Sequence, residues 1–275
     1  MIYLSLALLF PHDAFSWGKE GHRLINQTAV TLMPAPIDSF FLFYSESLGN
    51  LGDAPDMWKK ADAQLYNWHF LDLDLLDSYP FKNIPYAYDK ALARFGKEKL
   101  DKAGILPWAI ERSYSNLVRD YKKGRWPAIR DDLIGLAHYI GDGHQPLHTV
   151  LNYNGAQTGN PGVHFRFEIE LLERYLPEFQ QLDKGLLVRP GKKIDAPARY
   201  AFTFLIHGFT LADSILQWDI DCKKPRAEYD SFYFECYREK AGTVMTKQLA
   251  SAASDVAAYW YSAWIEAGRP KLRWK

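Results

Sequence analysis

The stretch that decides the fold is residues 127–148, PAIRDDLIGLAHYIGDGHQPLH. Its apolar residues recur at spacings of three, four and seven, at Ile129, Leu133, Leu136, Ala137 and Ile140. This periodicity predicts one apolar face of an α-helix that opens after Pro127. Other long segments repeat the helical pattern, at 108–121, 165–175, 198–218 and 241–264, and alternating strand patterns are hard to find. We therefore expect an all-α protein that forms a single compact helical domain over residues 17–275.

The end of the same stretch carries three side chains of the metal-ligand type. His138 and Asp142 are four residues apart, so they share one helix face and both can reach one metal ion. Pro146 ends the helix, so His148 lies beyond the break and can turn towards a second ion. One His/carboxylate pair at this spacing is more often a surface hydrogen bond, and further donors are needed to favour a metal site.

Further donors come from three other segments. They are His164 with Glu168, Trp17-Gly-Lys-Glu-Gly-His22, and Asp53-Ala-Pro-Asp56 followed by Trp68-His69-Phe-Leu-Asp72. Nitrogen and oxygen donors without cysteine fit zinc in a hydrolytic site better than iron–sulfur or zinc-finger chemistry. A di-iron helical bundle would need Glu-x-x-His pairs, which the sequence lacks.

The chain has no net charge that could attract a polyanion or a membrane surface. The chain has 275 residues, and its 33 Lys and Arg balance its 33 Asp and Glu. Its apolar content of 48% is that of an ordinary globular protein with a real core. Any attraction for phosphate must therefore be local.

The first sixteen residues, MIYLSLALLFPHDAFS, predict a signal peptide that is cleaved before Trp17. This segment has no Lys or Arg, and a buried first element is the alternative. No later apolar run approaches the roughly 18 residues of a membrane span. We expect a secreted or periplasmic protein, in which Cys222 and Cys236 are either one disulfide or two buried thiols.

In order and spacing these residues resemble the zinc-dependent phospholipase C and nuclease superfamily, and within it the single-strand-specific nucleases of the S1/P1 type. The resemblance covers residues 17 to about 168 and rests on six separated anchors. It implies a helical domain with a cluster of three zinc ions in a cleft. Residues after about 170 have no counterpart that we can align, so their role stays open.

The resemblance also implies a role for each donor. The first zinc would be held by Asp56, His69, His138 and Asp142, the second by His148, His164 and Glu168, and the third by Trp17, His22 and Asp142. Trp17 would bind through its own amine and carbonyl as the mature N-terminal residue. Asp142 would bridge two ions and orient the water between them, so Asp142 and Asp56 are the predicted catalytic residues. His144 has no counterpart as a ligand, and a solvated loop histidine is the expectation.

A substrate-binding role is implied for two residues that follow His69. In the nuclease relatives the counterpart of Phe70 stacks on a base and that of Asp72 contacts it. Core packing is the structural alternative for Phe70.

The predicted function is hydrolysis of phosphate esters by metal-activated water, in a nuclease acting on single-stranded nucleic acid or nucleotides. Trp17-Gly-x-x-Gly-His22 is typical of the nucleases. His164 lies only sixteen residues after His148 and is followed by Glu168, which is typical of the phospholipase C branch. A zinc-dependent phospholipase C acting on phospholipid head groups is therefore the first alternative.

Two further functions stay open, a phosphomonoesterase and a non-catalytic helical zinc-binding protein. Three zinc ions would carry more charge than the carboxylates of Asp56, Asp142 and Glu168, so the pocket would attract a phosphodiester without a basic surface. We expect a monomer.

Overall fold

The all-α prediction is confirmed by the computed structural model, which describes residues 17–224 and 228–272. Within these ranges every regular element is helical and no strand occurs. The helices are α1 Gly18–Leu32, α2 Asp38–Asn50, α3 Ala54–Ala61, α4 Leu73–Leu76, α5 Tyr88–Phe95, α6 Lys97–Ala103, α7 Leu106–Lys123, α8 Trp126–Gly143, α9 Val163–Phe165, α10 Leu172–Arg174, α11 Leu176–Phe179, α12 Pro197–Lys223 and α13 Ser231–Glu266. The predicted signal peptide, residues 1–16, lies outside the described residues and stays a prediction.

Three short 3₁₀ turns and one π-helical turn complete the regular structure. The 3₁₀ turns span Ala63–Trp68, Pro146–Thr149 and Lys184–Leu186, and the π-helical turn spans Arg166–Leu171. The first 3₁₀ turn leads directly to His69, and the second contains His148. The residues with metal-ligand chemistry thus lie on irregular backbone as well as on long helices.

Four long helices form the frame of the molecule. α12 and α13 pack against α7 and α8, and α1 packs against α2 and α13. Prolines in the first turn begin α7, α8 and α12, where a missing N–H costs no hydrogen bond. α7 ends at Gly124, whose left-handed conformation turns the chain into α8. The prediction that a helix opens around Pro127 and carries His138 and Asp142 is confirmed.

Large aromatic side chains fill the core between these helices. Trp260 on α13 is fully buried, stacks on Phe41 with a 5.1 Å centroid distance, and donates to the Leu133 carbonyl at 3.1 Å. The indole group therefore joins α13 to α2 and α8 while its N–H keeps a partner. This packing fixes α8, the helix that presents His138 and Asp142.

A disulfide joins Cys222 on α12 to Cys236 on α13, with 5.7 Å between the two Cα atoms. The structure thus decides between the disulfide and the pair of buried thiols that the cysteine count left open. Among the helices of residues 17–224 and 228–272, none has the length and apolar character to cross a membrane.

Candidate metal centre

The predicted first group of ligands converges on one point. The Nδ1 of His69 lies 2.8 Å from Oδ2 of Asp142 and 3.0 Å from Nε2 of His138. Asp56 Oδ1 lies 3.7 Å from each of these two ring nitrogens. The four residues come from α3, from the segment after the first 3₁₀ turn, and from α8, and all four are buried.

Backbone carbonyls orient two of the imidazoles. The Nδ1 of His138 donates to the Gly52 carbonyl at 2.9 Å, and the Nδ1 of His148 donates to the His69 carbonyl at 2.8 Å. With a proton held on Nδ1, each ring in its neutral form presents the lone pair of Nε2 to the centre. A carbonyl that fixes the ring in this way is a common partner of a metal-binding histidine.

The predicted second group is equally close. Nε2 of His148 lies 3.0 Å from Nε2 of His164, and Glu168 Oε2 lies 2.9 Å from the latter. Gln145 donates to the same Oε2 at 2.8 Å and accepts from the Leu147 N–H. Gln145, which the sequence interpretation did not single out, therefore holds the Glu168 carboxylate in place.

A residue that is distant in the sequence fixes the backbone around His164 and Glu168. Arg166 lies between them, and its guanidinium donates to both carboxylate oxygens of Asp219 on α12, at 2.8 and 2.9 Å. Asn160 donates to Asp219 as well, at 2.8 Å. This buried network fastens the π-helical turn to α12, so the position of Glu168 depends on a residue far along the chain.

The predicted third group is brought together in part. Nε2 of His22 lies 3.5 Å from Oδ1 of Asp142, and the His22 ring stacks on His138 with a 4.1 Å centroid distance. Asp142 therefore turns one carboxylate oxygen towards His69 and His138 and the other towards His22. The side chain of Trp17 is fully buried and donates from Nε1 to the Gly141 carbonyl at 2.8 Å, and its backbone carbonyl accepts from the Gly21 N–H at 3.1 Å.

The geometry fits bound metal ions. The donor atoms form three sets, and within each set they all lie within 4.8 Å of one another. The sets are His22 with Asp56 and His138, His69 with His138 and Asp142, and His148 with His164 and Glu168. Two ligands on a tetrahedral zinc ion are about 3.3 Å apart, which matches the observed separations. The buried Oδ1 of Asp142, which lies 3.5 Å from Nε2 of His22, has no hydrogen-bond partner within the residues that the structure describes. Nitrogen and oxygen donors so close together are what a divalent cation requires.

Electrostatics keeps the two central carboxylates ionised. Burial alone would raise the pKa of Asp142, but His138 and hydrogen bonds with three histidines hold it well below its ordinary value. The pKa of Glu168 is lowered to about 2 because the nearby His164 and His148 outweigh its burial. Burial lowers the pKa of His69 to about 4, so this imidazole is neutral at physiological pH. Burial alone would lower the pKa values of His138 and His148, but the nearby carboxylates raise both, so a bound cation would take the place of protons that these rings attract.

Lys59 is a further charged residue of the site that the sequence interpretation missed. Its Nζ lies 2.7 Å from Oδ1 of Asp56, and both side chains are buried. The three-residue spacing on α3 is visible in the sequence, but lysines at such spacings usually point into water. A buried ammonium beside Asp56 offsets part of the negative charge of the carboxylates.

A small cavity opens beside the second group. Three histidines of the donor groups line it, together with five other residues. They are His69, His148 and His164, and Tyr66, Phe70, Asp72, Leu147 and Tyr153. Phe70 is half-buried rather than part of the core, and the rings of Phe70 and Tyr66 meet edge to face at 5.8 Å. Burial raises the pKa of Asp72 to about 7, with Asp74 adding to the effect. Phe70 and Asp72 thus lie where a substrate at the metal groups is within reach.

The expectation of a solvated loop histidine at position 144 is wrong. His144 caps the C-terminal end of α8, is 3% exposed and lies 2.9 Å from Oδ2 of Asp255. The packing of α12 and α13 over the end of α8 buries it.

The fold and the site define the class of protein: an all-helical protein with three donor groups, two of which share His138. The sequence model of the S1/P1 Nuclease family matches residues 17–170. The chain belongs to the S1/P1 nuclease family, and with it to the metal-dependent phosphodiesterases that act on nucleic acid. A search among curated proteins found no match. The matched region contains every predicted site residue.

Proposed function

We propose that this protein is a zinc-dependent nuclease that cleaves single-stranded nucleic acid or nucleotides. The observation that carries the proposal is the joint placement of three donor groups, with Asp142 among His22, His69 and His138, and of the half-buried ring of Phe70 in the adjoining cavity. Zinc is favoured because the donors are imidazoles and carboxylates at tetrahedral separations. We take the number of ions to be three, one for each donor group.

When bound, the zinc ions supply Lewis-acid chemistry, since they polarise a phosphate ester and lower the pKa of water to about 7. The chain supplies the arrangement. Asp56, Asp142 and Glu168 provide the negative charge that holds cations, while Lys59 limits the excess. Asp142 presents its two carboxylate oxygens to different histidines, so it is suited to orient a water molecule between two sites.

Substrate selection is assigned to the cavity beside the second group. A base that stacks on Phe70 would place its phosphate against the donor groups, with Asp72 near its polar edge. Stacking on an aromatic side chain needs an unpaired base, because a paired base is stacked on its neighbours. We therefore assign the protein to single strands rather than duplexes.

A secreted or periplasmic location is part of the proposal. Removal of residues 1–16 would make Trp17 the N-terminal residue, whose amine lies at the start of the helix that carries His22. The disulfide between Cys222 and Cys236 suits an oxidising compartment.

A phospholipase C is the second candidate, favoured by the close His164–Glu168 pair. One paired assay separates the two candidates: release of acid-soluble nucleotides from single-stranded DNA and RNA, and release of phosphocholine from dispersed phosphatidylcholine, with zinc content measured on the same sample. We expect nucleotide release, a lower rate on duplex, and three zinc ions per chain. Release of phosphocholine with intact DNA and RNA would contradict the nuclease proposal.

The variant Phe70→Ala sharpens this assay. Stacking is worth roughly 1–3 kcal/mol per base, so we expect cleavage of single strands to fall by about tenfold or more. Hydrolysis of a small phosphodiester that carries no base should be spared. Phe43→Ala is the matched control, since Phe43 is a 58% exposed aromatic on α2 that does not line the cavity.

A further inference from the structure

A second cavity, of about 420 Å³, lies between α12, α13 and the loop over residues 186–192. We call it the α12–α13 cleft. It shares no lining residue with the cavity beside the metal groups. His144 lines it from the C-terminal end of α8, so the cleft is built on the part of the chain after about residue 170, whose role the sequence left open, together with this one helix end.

A polar network around the buried His144 lines the cleft. Asp255 contacts His144 Nε2 at 2.9 Å through one oxygen and accepts from the Tyr200 hydroxyl at 2.7 Å through the other. The Nδ1 of His144 is buried and has no hydrogen-bond partner among the residues described. The imidazole also stacks on Phe204 with a 4.4 Å centroid distance. Buried polar atoms are rarely left unpaired without a functional reason, which marks this wall as more than packing.

Basic side chains form the opposite wall. Arg189 and Lys192 line the cleft, and neither has an acidic partner within 4 Å in the described ranges. Asp255 is the acidic residue of the lining, and His207 is a second histidine beside His144. A neighbouring cavity shares Lys192 and Tyr200, and its Lys193 is paired with Asp195 and Glu266. The basic groups of the cleft lining without an acidic partner among the described residues are therefore Arg189 and Lys192, which outnumber its one carboxylate.

We propose that the α12–α13 cleft binds a small phosphate monoester, with Arg189 and Lys192 holding the phosphate. Guanidinium and ammonium groups are the side chains that bind phosphate most strongly, through charge-assisted hydrogen bonds. The wall of His144, Asp255 and Tyr200 offers donors and acceptors to a hydroxyl-bearing organic part. The volume falls within the roughly 300–1,000 Å³ that ligand pockets occupy.

This site is independent of the proposed nuclease activity, because none of its residues belongs to the three donor groups. The test uses isothermal titration of the metal-loaded protein with inorganic phosphate, AMP and adenosine in turn. The variants are Arg189→Ser and Lys192→Ser. Lys184→Ser is the matched control, because Lys184 is exposed just before the same loop and lines neither cavity.

We expect both phosphate-bearing probes to bind at the α12–α13 cleft and adenosine not to bind at this cleft. Arg189→Ser and Lys192→Ser should each weaken phosphate binding at the cleft by at least tenfold. Lys184→Ser should leave the phosphate affinity of the cleft unchanged. Hydrolysis of a small phosphodiester should stay at the wild-type rate in all three variants, which separates this site from the metal centre. Phosphate binding that is unchanged in both cleft variants, or equally weakened in Lys184→Ser, would overturn the proposal. Adenosine binding that Arg189→Ser or Lys192→Ser weakens as much as it weakens AMP binding would overturn it too.

Discussion

Asp142 is the residue that connects the donor groups. Its Oδ2 lies 2.8 Å from His69 and 3.3 Å from His138, while its Oδ1 faces His22 at 3.5 Å. It is fully buried, so its charge has no solvent to stabilise it. Only cations can offset such a charge fully, and this makes Asp142 the most informative single substitution.

We predict that Asp142→Asn abolishes phosphodiester hydrolysis and lowers zinc content while the helical fold survives. The amide keeps the shape of the carboxylate but removes the charge shared between two ions, and losing a direct ligand typically costs more than the 10–100-fold seen for its supporting partners. Activity, zinc content and far-ultraviolet circular dichroism on one preparation test this. Asp131→Asn, an exposed aspartate of the same helix, is the matched control. Near-normal turnover in Asp142→Asn would mean that the cluster is structural.

The sequence predicts donor residues well where spacing alone decides their direction. His138 with Asp142, and His164 with Glu168, lie four residues apart on helical turns, and each pair meets in the structure. Gln145 and the surroundings of His144 were not predictable, because their partners Glu168 and Asp255 lie 23 and 111 residues away. Such contacts depend on how helices pack, which periodicity does not specify.

At the scale of elements, α7 and α8 meet through a pair of carboxyl groups. Asp132 on α8 has its pKa raised to about 7 by burial and by a hydrogen bond to Asp120 on α7. The pKa of Asp120 is lowered, since hydrogen bonds from Arg125 and Arg119 outweigh its burial. The pair therefore shares one proton below neutral pH.

We predict that Asp132→Asn stabilises the protein at pH 8 but not at pH 5. The folded pKa of Asp132 lies above the ordinary 3.8, so the folded protein keeps a proton that the unfolded chain has lost. The contribution of Asp132 to the free energy of unfolding therefore falls as the pH rises from about 4 to about 7, and it is constant above that range. An asparagine amide donates as the protonated carboxyl does and does not ionise. Urea unfolding at both pH values measures the difference, with Asp131→Asn as control, and equal effects at both pH values would contradict the argument.

The elements themselves were predictable where local signals mark them. Prolines at positions 107, 127 and 197 mark the starts of α7, α8 and α12, and Gly124 ends α7. The π-helical turn at Arg166–Leu171 was not predictable, because it is held by contacts between Arg166 and Asp219, which lie 53 residues apart. The short helices α9, α10 and α11 likewise depend on tertiary packing rather than on their own propensity.

At the scale of the whole molecule, Trp17 and the start of α1 are built into the site. Trp17 is fully buried, and the hydrogen bond from its indole to Gly141 ties the N-terminal end of α1 to the C-terminal end of α8. His22 follows one turn later beside Asp142. The position of residue 17 is therefore coupled to the donor groups on α8.

We predict that protein with an added N-terminal tag, or with residues 1–16 retained, binds fewer zinc ions than processed protein. A peptide bond at Trp17 removes the free amine that would serve as a ligand. Zinc content and activity of the two forms, purified in parallel, test this prediction. A tag at the C-terminus is the matched control. Equal zinc content and equal activity in both N-terminal forms would remove Trp17 from the site.

Two reciprocal hydrogen bonds between the metal groups govern how fast amide protons exchange there. The His148 ring donates to the His69 carbonyl at 2.8 Å, and the Leu71 amide donates to the His148 carbonyl at 2.9 Å. These two hydrogen bonds join the segment at 69–71 to the turn at 148, so neither metal group can open without the other. We predict that the Leu71 amide exchanges with deuterium as slowly as those of α8, although it lies outside any helix. Hydrogen–deuterium exchange measured by mass spectrometry in the wild type and in His148→Ala tests this prediction. Fast exchange of the Leu71 amide in the wild type would show that the two hydrogen bonds break locally.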